Sequence, residues 1–374
     1  MKRFFSLILG MGITALGIAQ GYDLNKKLPI SSDVRIGTLD NGLKYYVRSN
    51  PKPEDKIELR LVVNAGSVLE TDEQRGLAHF MEHMNFNGTK NFEKNDLVDY
   101  LQSIGVKFGA DLNAYTSFDE TVYILPIPCD NPETLEKGFQ VIEDWAHNAT
   151  LTEEAIDDER GVVLEEYRLG LGADKRMLAE YLPKLMYGSK YADRLPIGTK
   201  DVLENFDYEA VRSFYKDWYR PDLMAVVAVG DLPVDEIEAK VKEHFSRLEM
   251  PEKPKERMNH DLPNHKETFI AIATDKEAPF ANVQIMYKDY ENSNPDVTYG
   301  DYRQSIVENL FGTMINNRLS ELANSPTPPF VFASTGYGGT FARTKSAYQS
   351  FAFTSPGGQL NAFKVLLEEN QRVK

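Results

Sequence analysis

The segment His79-Phe80-Met81-Glu82-His83 places two imidazoles and a carboxylate within one short run. On a helix, residues four apart lie about 40° apart around the axis and one turn along it. Two imidazoles so placed can share one tetrahedral cation such as zinc. Glu82 falls on the same side, one position before the second imidazole. It is close to such an ion yet poorly placed to bind it. A carboxylate there can instead take a proton from a metal-activated water. The chemistry expected of this run is metal-assisted hydrolysis.

Catalytic zinc usually takes three protein ligands and keeps one position open. Residues 152–169 supply candidates for the third. Ile156, Glu159, Val163 and Glu166 recur at spacings of three, four and three, which is one stripe of a helix. Two carboxylates on an otherwise apolar stripe are costly unless paired or metal-bound. Glu165 lies on a more easily solvated face. The residues alone leave Glu166 and Glu159 both open as ligands, or as partners of Arg160 or Arg168. Cys129, the single cysteine, has no nearby histidine to activate it and is not read as a nucleophile.

The elements that must hold these groups follow from periodicity. Residues 36–47 read as a hairpin around Asp40-Asn41-Gly42. Ile57, Leu59, Leu61 and Val63 alternate as a half-buried strand. Residues 76–85 read as the helix carrying the two histidines, and 92–104 as an amphipathic helix ended by Gly105. A strand is expected over 121–127 and helices over 132–146, 152–169, 208–219 and 233–248, with a buried strand at 223–229. Beyond residue 266 come strands near 268–273 and 283–287, a long helix near 301–323, strands near 331–336 and 346–354, and a helix from 359 onward.

Taken together, His79-x-x-Glu82-His83 and the later Glu159-Arg160-Gly161-Val162-Val163-Leu164-Glu165-Glu166 resemble the inverzincin peptidases of the pitrilysin/insulinase family, M16. Gly76-Leu77-Ala78, Asn87-Gly88-Thr89, Asn113-Ala114-Tyr115-Thr116 and Thr121-Val122-Tyr123 match the family pattern as well. The resemblance is strong over residues 34–248 and holds beyond them only by general plan. It implies an α+β fold of two similar domains, each a mainly antiparallel sheet packed with helices, like mitochondrial processing peptidase. It implies one zinc ion per chain on His79, His83 and Glu166, with Glu82 as general base and Glu159 as a carboxylate beside the ligands. Asn113, Ala114 and Tyr115 then lie on an edge strand to which a substrate peptide adds. The function implied is zinc-dependent endopeptidase action on peptides or unfolded segments. The alternative is a catalytically silent chamber or assembly subunit of the same family. The second half of a longer chain, or a dimer partner, is expected to close the chamber.

Residues 1–19 read as an export signal, with Lys2 and Arg3 before an apolar stretch and small residues at Gly17 and Ala19. The apolar run is shorter than the roughly 20 residues that span a bilayer, so no stable membrane anchor is expected. The mature protein is expected in the periplasm or secreted. Residues 20–249 are read as the catalytic zinc-binding domain and the proline-rich 250–266 as a linker. Residues 267–374 are read as a second, non-catalytic domain, truncated inside its last helix. The net charge is −15, and nucleic acid is excluded as a partner because phosphate binding needs a basic face.

Overall fold

The computed structural model describes residues 23–94, 96–107, 109, 113–291 and 297–372. The export-signal reading of 1–19 lies outside them. The first sheet is built from β1 (Arg35–Thr38), β2 (Lys44–Ser49), β3 (Lys56–Val63), β4 (Asn113–Thr116), β5 (Thr121–Pro128) and β6 (Met224–Gly230). Their order is β1-β2-β6-β3-β5-β4, so β4 forms an edge. Only β2 and β6 pair parallel; the other pairings of this sheet are antiparallel. Gly42 adopts φ +92° in the β1–β2 turn, a conformation that favours glycine. Asn41 in the same turn donates to the carbonyls of Phe245 and Leu248, which pins the hairpin to a distant helix end.

The alternation in β3 puts Ile57, Leu59, Leu61 and Val63 on one buried face. That face is covered by α3 (Pro132–His147) and α8 (Val234–Phe245), which bring Phe139, Ile142, Trp145, Ile237 and Val241 into the same core. Each such side chain contributes about 1.5–3 kcal/mol on burial. The remaining helices of this part are α1 (Leu77–Met84), α2 (Asp96–Ser103), α4 (Glu153–Leu169), α5 (Ala173–Leu185), α6 (Lys200–Asn205) and α7 (Tyr208–Trp218). Helix α2 is shorter than the expected 92–104. Helices α5 and α6 had no counterpart in the sequence reading.

The second sheet has order β7-β9-β8, from β7 (Ala281–Lys288), β8 (Phe332–Gly339) and β9 (Ser346–Thr354), all antiparallel. It packs with α9 (Tyr299–Ala323) and α10 (Gln359–Arg372) around Leu319, Phe330, Ala333, Ala352, Ala362 and Leu366. The architecture is thus α+β, with mainly antiparallel sheets against helices. The strand expected at 268–273 is absent: these residues join no ladder, and Ile270 and Ile272 stand 70% and 82% exposed. Residues 250–266 hold no helix or strand either. They are nonetheless fastened, because Leu262 is buried and the Arg257 guanidinium lies 3.2 Å from the buried Asp119 carboxylate. Among the described residues no helix is long and apolar enough to cross a membrane.

Candidate active site

The site is assembled from α1, α4 and the edge strand β4. Helix α1 begins after Gly76, whose φ of +104° turns the chain into the helix. A Cβ on the facing Gly198 would stand 2.4 Å from the Gly76 Cα, so glycine at 198 permits the close approach. No side chain of its own caps α1. The cap comes from Glu70, fully buried, whose carboxylate accepts from the amides of Gly76 (3.1 Å) and Ala78 (2.8 Å). Helix N-termini leave such amides unpaired, and an anion there is favoured. Burial pushes the Glu70 carboxyl up to about 8, against the pull of these two amides and Arg194.

Helix α4 starts at Thr152, whose hydroxyl accepts from the Ala155 amide. The four residues of its stripe differ in exposure, which the spacing alone does not foretell: Ile156, Glu159 and Val163 are buried and Glu166 is half-exposed. Glu165 points elsewhere and pairs with Arg168 at 2.5 Å. Arg160 spends its guanidinium on the carbonyls of Leu203 and Phe206. Neither arginine therefore explains Glu159 or Glu166.

Those two acids meet the histidines of α1. Glu166 Oε1 lies 3.7 Å from His79 Nε2, and Glu166 Oε2 lies 3.3 Å from His83 Nε2. The two rings are 4.7 Å apart and nearly perpendicular. All three donor groups fall within 4.8 Å of one another. With metal–ligand distances near 2.0–2.1 Å, tetrahedral ligands are separated by about 3.3 Å. Donor groups at this spacing fit a single divalent cation, which His79, His83 and Glu166 would hold together. His83 Nδ1 is held by Glu159 Oε1 at 2.7 Å, and Glu159 Oε2 accepts from Asn87 Nδ2 at 2.5 Å. This clamp fixes the ring and leaves Nε2 free to face Glu166, the arrangement that orients metal-binding histidines.

Electrostatics divide the roles further. Burial, with the neighbouring His83 and Lys175, holds the His79 imidazolium down at about 3, so this ring is neutral and able to donate a lone pair. Burial acts the same way on His83. There the Glu159 hydrogen bond and the charges of Glu159, Glu166 and Glu82 outweigh it and raise the value. Glu82 is buried, and burial raises its carboxyl although Thr116 and His83 oppose this. The Thr116 hydroxyl donates to Glu82 Oε2 at 2.5 Å. A carboxylate with a raised value is a better proton acceptor near neutrality.

On β4, Asn113 and Tyr115 are exposed and Ala114 half-buried. The Asn113 side chain accepts from the Ala114 amide at 2.9 Å. Beside this strand a cleft of about 570 Å³ is lined by Arg60, Val62, Asn64, Tyr115, Glu120 and Arg343, among others. The sequence reading gave no role to Thr116, Asn87 or Glu70. The first two lay within recognised patterns, but only their contacts reveal what they touch.

The family model described as Insulinase (Peptidase family M16) matches residues 45–196, and that described as Peptidase M16 inactive domain matches 205–332. The chain is 38% identical to an Arabidopsis thaliana protein named zinc protease PQQL-like, over 86% of this chain and 33% of that one. It is 34% identical to a probable zinc protease PqqL of Haemophilus influenzae, over 86% of this chain and 35% of that one. The crystal structure of the first half of the periplasmic protease PqqL from Escherichia coli superposes with a TM-score of 0.80 at 29% identity, covering 92% of this chain and 73% of that one. The chain spans about a third of the length of these curated relatives. Two family models along one chain, together with relatives of this similarity, place it: the chain belongs to the insulinase family of peptidases, M16.

Proposed function

We propose that this chain is the zinc-binding catalytic part of an endopeptidase acting on peptides or unfolded protein segments. The observation that carries the reading is the convergence of His79, His83 and Glu166 beside the buried carboxylate of Glu82. His79, His83 and Glu166 would hold one zinc ion. Bound there, the ion would supply a Lewis acid that polarises a carbonyl and acidifies water. Glu82 would accept the proton of the attacking water on its carboxylate and return it to the departing amine. Thr116 would keep that carboxylate turned toward the reacting atoms. Glu159 and Asn87 would keep the His83 ring from rotating. Asn113, Ala114 and Tyr115 would receive the substrate backbone along the open edge of β4, which gives affinity with broad sequence tolerance.

The relatives are about two and a half times as long as this chain. A second half of a longer chain, or a partner, is proposed to close over the site. The similar Escherichia coli protein is a periplasmic protease, and this likeness together with the sequence of residues 1–19 favours export.

The test pairs metal analysis with hydrolysis of a quenched peptide, with and without chelator. Glu82→Gln is expected to keep its zinc and lose about 10²–10⁴ in turnover. His79→Ala and His83→Ala are expected to lose the metal. Full zinc in His79→Ala, or undiminished cleavage by Glu82→Gln, overturns the assignment.

A further inference from the structure

A second group of ligand-type side chains lies between α3 and α8, built from residues other than those of the site above. His244 of α8 is 1% exposed. Its Nδ1 lies 2.7 Å from Glu143 Oε2, a carboxylate that is itself buried and also approached by Arg247 at 3.2 Å. Its ring stacks on Phe139, with centroids 5.6 Å apart. The imidazole is thus fixed by a carboxylate on one nitrogen. The other nitrogen, Nε2, is buried and has no hydrogen-bond partner. It points at Glu136 Oε1, 3.3 Å away, in an orientation that does not make a hydrogen bond. The Glu243 carboxylate stands in the same cluster, and the donor atoms of Glu136, Glu243 and His244 all fall within 4.8 Å of one another.

The dimensions repeat those of the first site. There, a carboxylate holds His83 Nδ1 at 2.7 Å and Nε2 faces a glutamate oxygen at 3.3 Å. An imidazole nitrogen facing a carboxylate oxygen out of hydrogen-bond alignment is unsatisfied. A separation of about 3.3 Å is also what two ligands of one tetrahedral ion adopt. The counter-charge now present is Lys240, whose ammonium lies 2.6 Å from Glu136 Oε2 and 3.0 Å from Glu243 Oε2. It neutralises the two carboxylates but does not touch Nε2. Its side chain is flexible and partly exposed, so a divalent cation can displace it, at a cost in affinity.

We propose that Glu136, Glu243 and His244 form an auxiliary site for a zinc-class divalent cation, weaker than the first, that competes with the Lys240 ammonium and cross-links α3 to α8. Nitrogen and carboxylate ligands suit zinc and cobalt alike. The inference goes beyond the peptidase reading and does not depend on it.

The probe is cobalt(II), followed by its visible absorbance during titration of the intact chain and by calorimetry. The wild type is expected to bind in two classes, one tight and one weak. Glu136→Gln combined with Glu243→Gln changes only exposed or half-exposed carboxylates and leaves the buried Glu143–His244 pair in place. It is expected to abolish the weak class and leave the tight one. Lys240→Met is expected to strengthen the weak class at least tenfold. The tight class alone in both wild type and Lys240→Met, or a weak class untouched by the double glutamine variant, overturns the proposal. In the first case the Nε2–Glu136 approach holds a proton only. Loss of the tight class alone would speak against the first site and leave this one standing.

Discussion

At the scale of single residues, the site depends on side chains that hold other side chains. Thr116 touches no candidate ligand, yet its hydroxyl is within 2.5 Å of the Glu82 carboxylate. A hydrogen bond to a charged group is worth about 1.5–3 kcal/mol. Thr116→Val is therefore expected to retain bound metal and to lose roughly ten- to hundredfold in turnover, read from kcat with zinc content measured in parallel. The ligand-type residues were legible because their types are rare and their spacing is helical. Glu159 and Glu166 could not be separated by periodicity, since they share a stripe. What separates them is reach: Glu159 is buried against His83 Nδ1, while Glu166 extends to both Nε2 atoms. Thr116, Asn87 and Glu70 are ordinary polar residues whose roles arise from partners 34, 72 and 6–8 positions away, and no local pattern encodes such pairings.

At the scale of elements, α1 is short and carries the two histidines without a cap of its own. Glu70 fills that gap. Removing it leaves buried amides unpaired, so Glu70→Ala is expected to destabilise the fold by about 1–3 kcal/mol in urea denaturation. Helix α8 is tied to the first hairpin through Glu238. Lys242, Tyr45 and Arg35 together hold its carboxyl down at about 2, below the ordinary 4.5. Here the unfolded chain takes up the proton first as pH falls. The stabilisation is therefore complete above 4.5 and is lost as pH drops toward 2. Glu238→Gln is expected to flatten the dependence of stability on pH across that window, measured by denaturation at stepped pH. The strands and helices with clear periodicity were found close to their true limits. Helix α5 was missed: it carries Pro183 in its interior and buries only Ala173 and Leu182, so its apolar signal is thin. The opposite error at 268–273 has the complementary cause. A run of apolar residues marks a segment fit to be a strand, but a strand also needs a neighbour to pair with, and residues 268–273 join no ladder.

At the scale of the whole molecule, the two sheets are linked by more than the chain between them. Arg343, from the loop before β9, donates to Asn64 at the end of β3 and pairs with Glu120 before β5. Arg257 reaches the Asn64 carbonyl and the Asp119 carboxylate, and Asp119 also accepts from Tyr191. Breaking a buried pair of this kind costs about 3–5 kcal/mol. Arg257→Ala is expected to lower stability by that order and to expose the adjoining segment to trypsin, followed by mass spectrometry of the fragments.

Composition alone marks 250–266 as a linker, a proline-rich strap between two domains. With Arg257 bolted into the first sheet and Leu262 tucked into its core, the strap behaves as a splint. Any opening motion that widens access to α1 must then find its pivot elsewhere, and a protease probing the intact protein should leave the splint uncut despite its lack of regular structure.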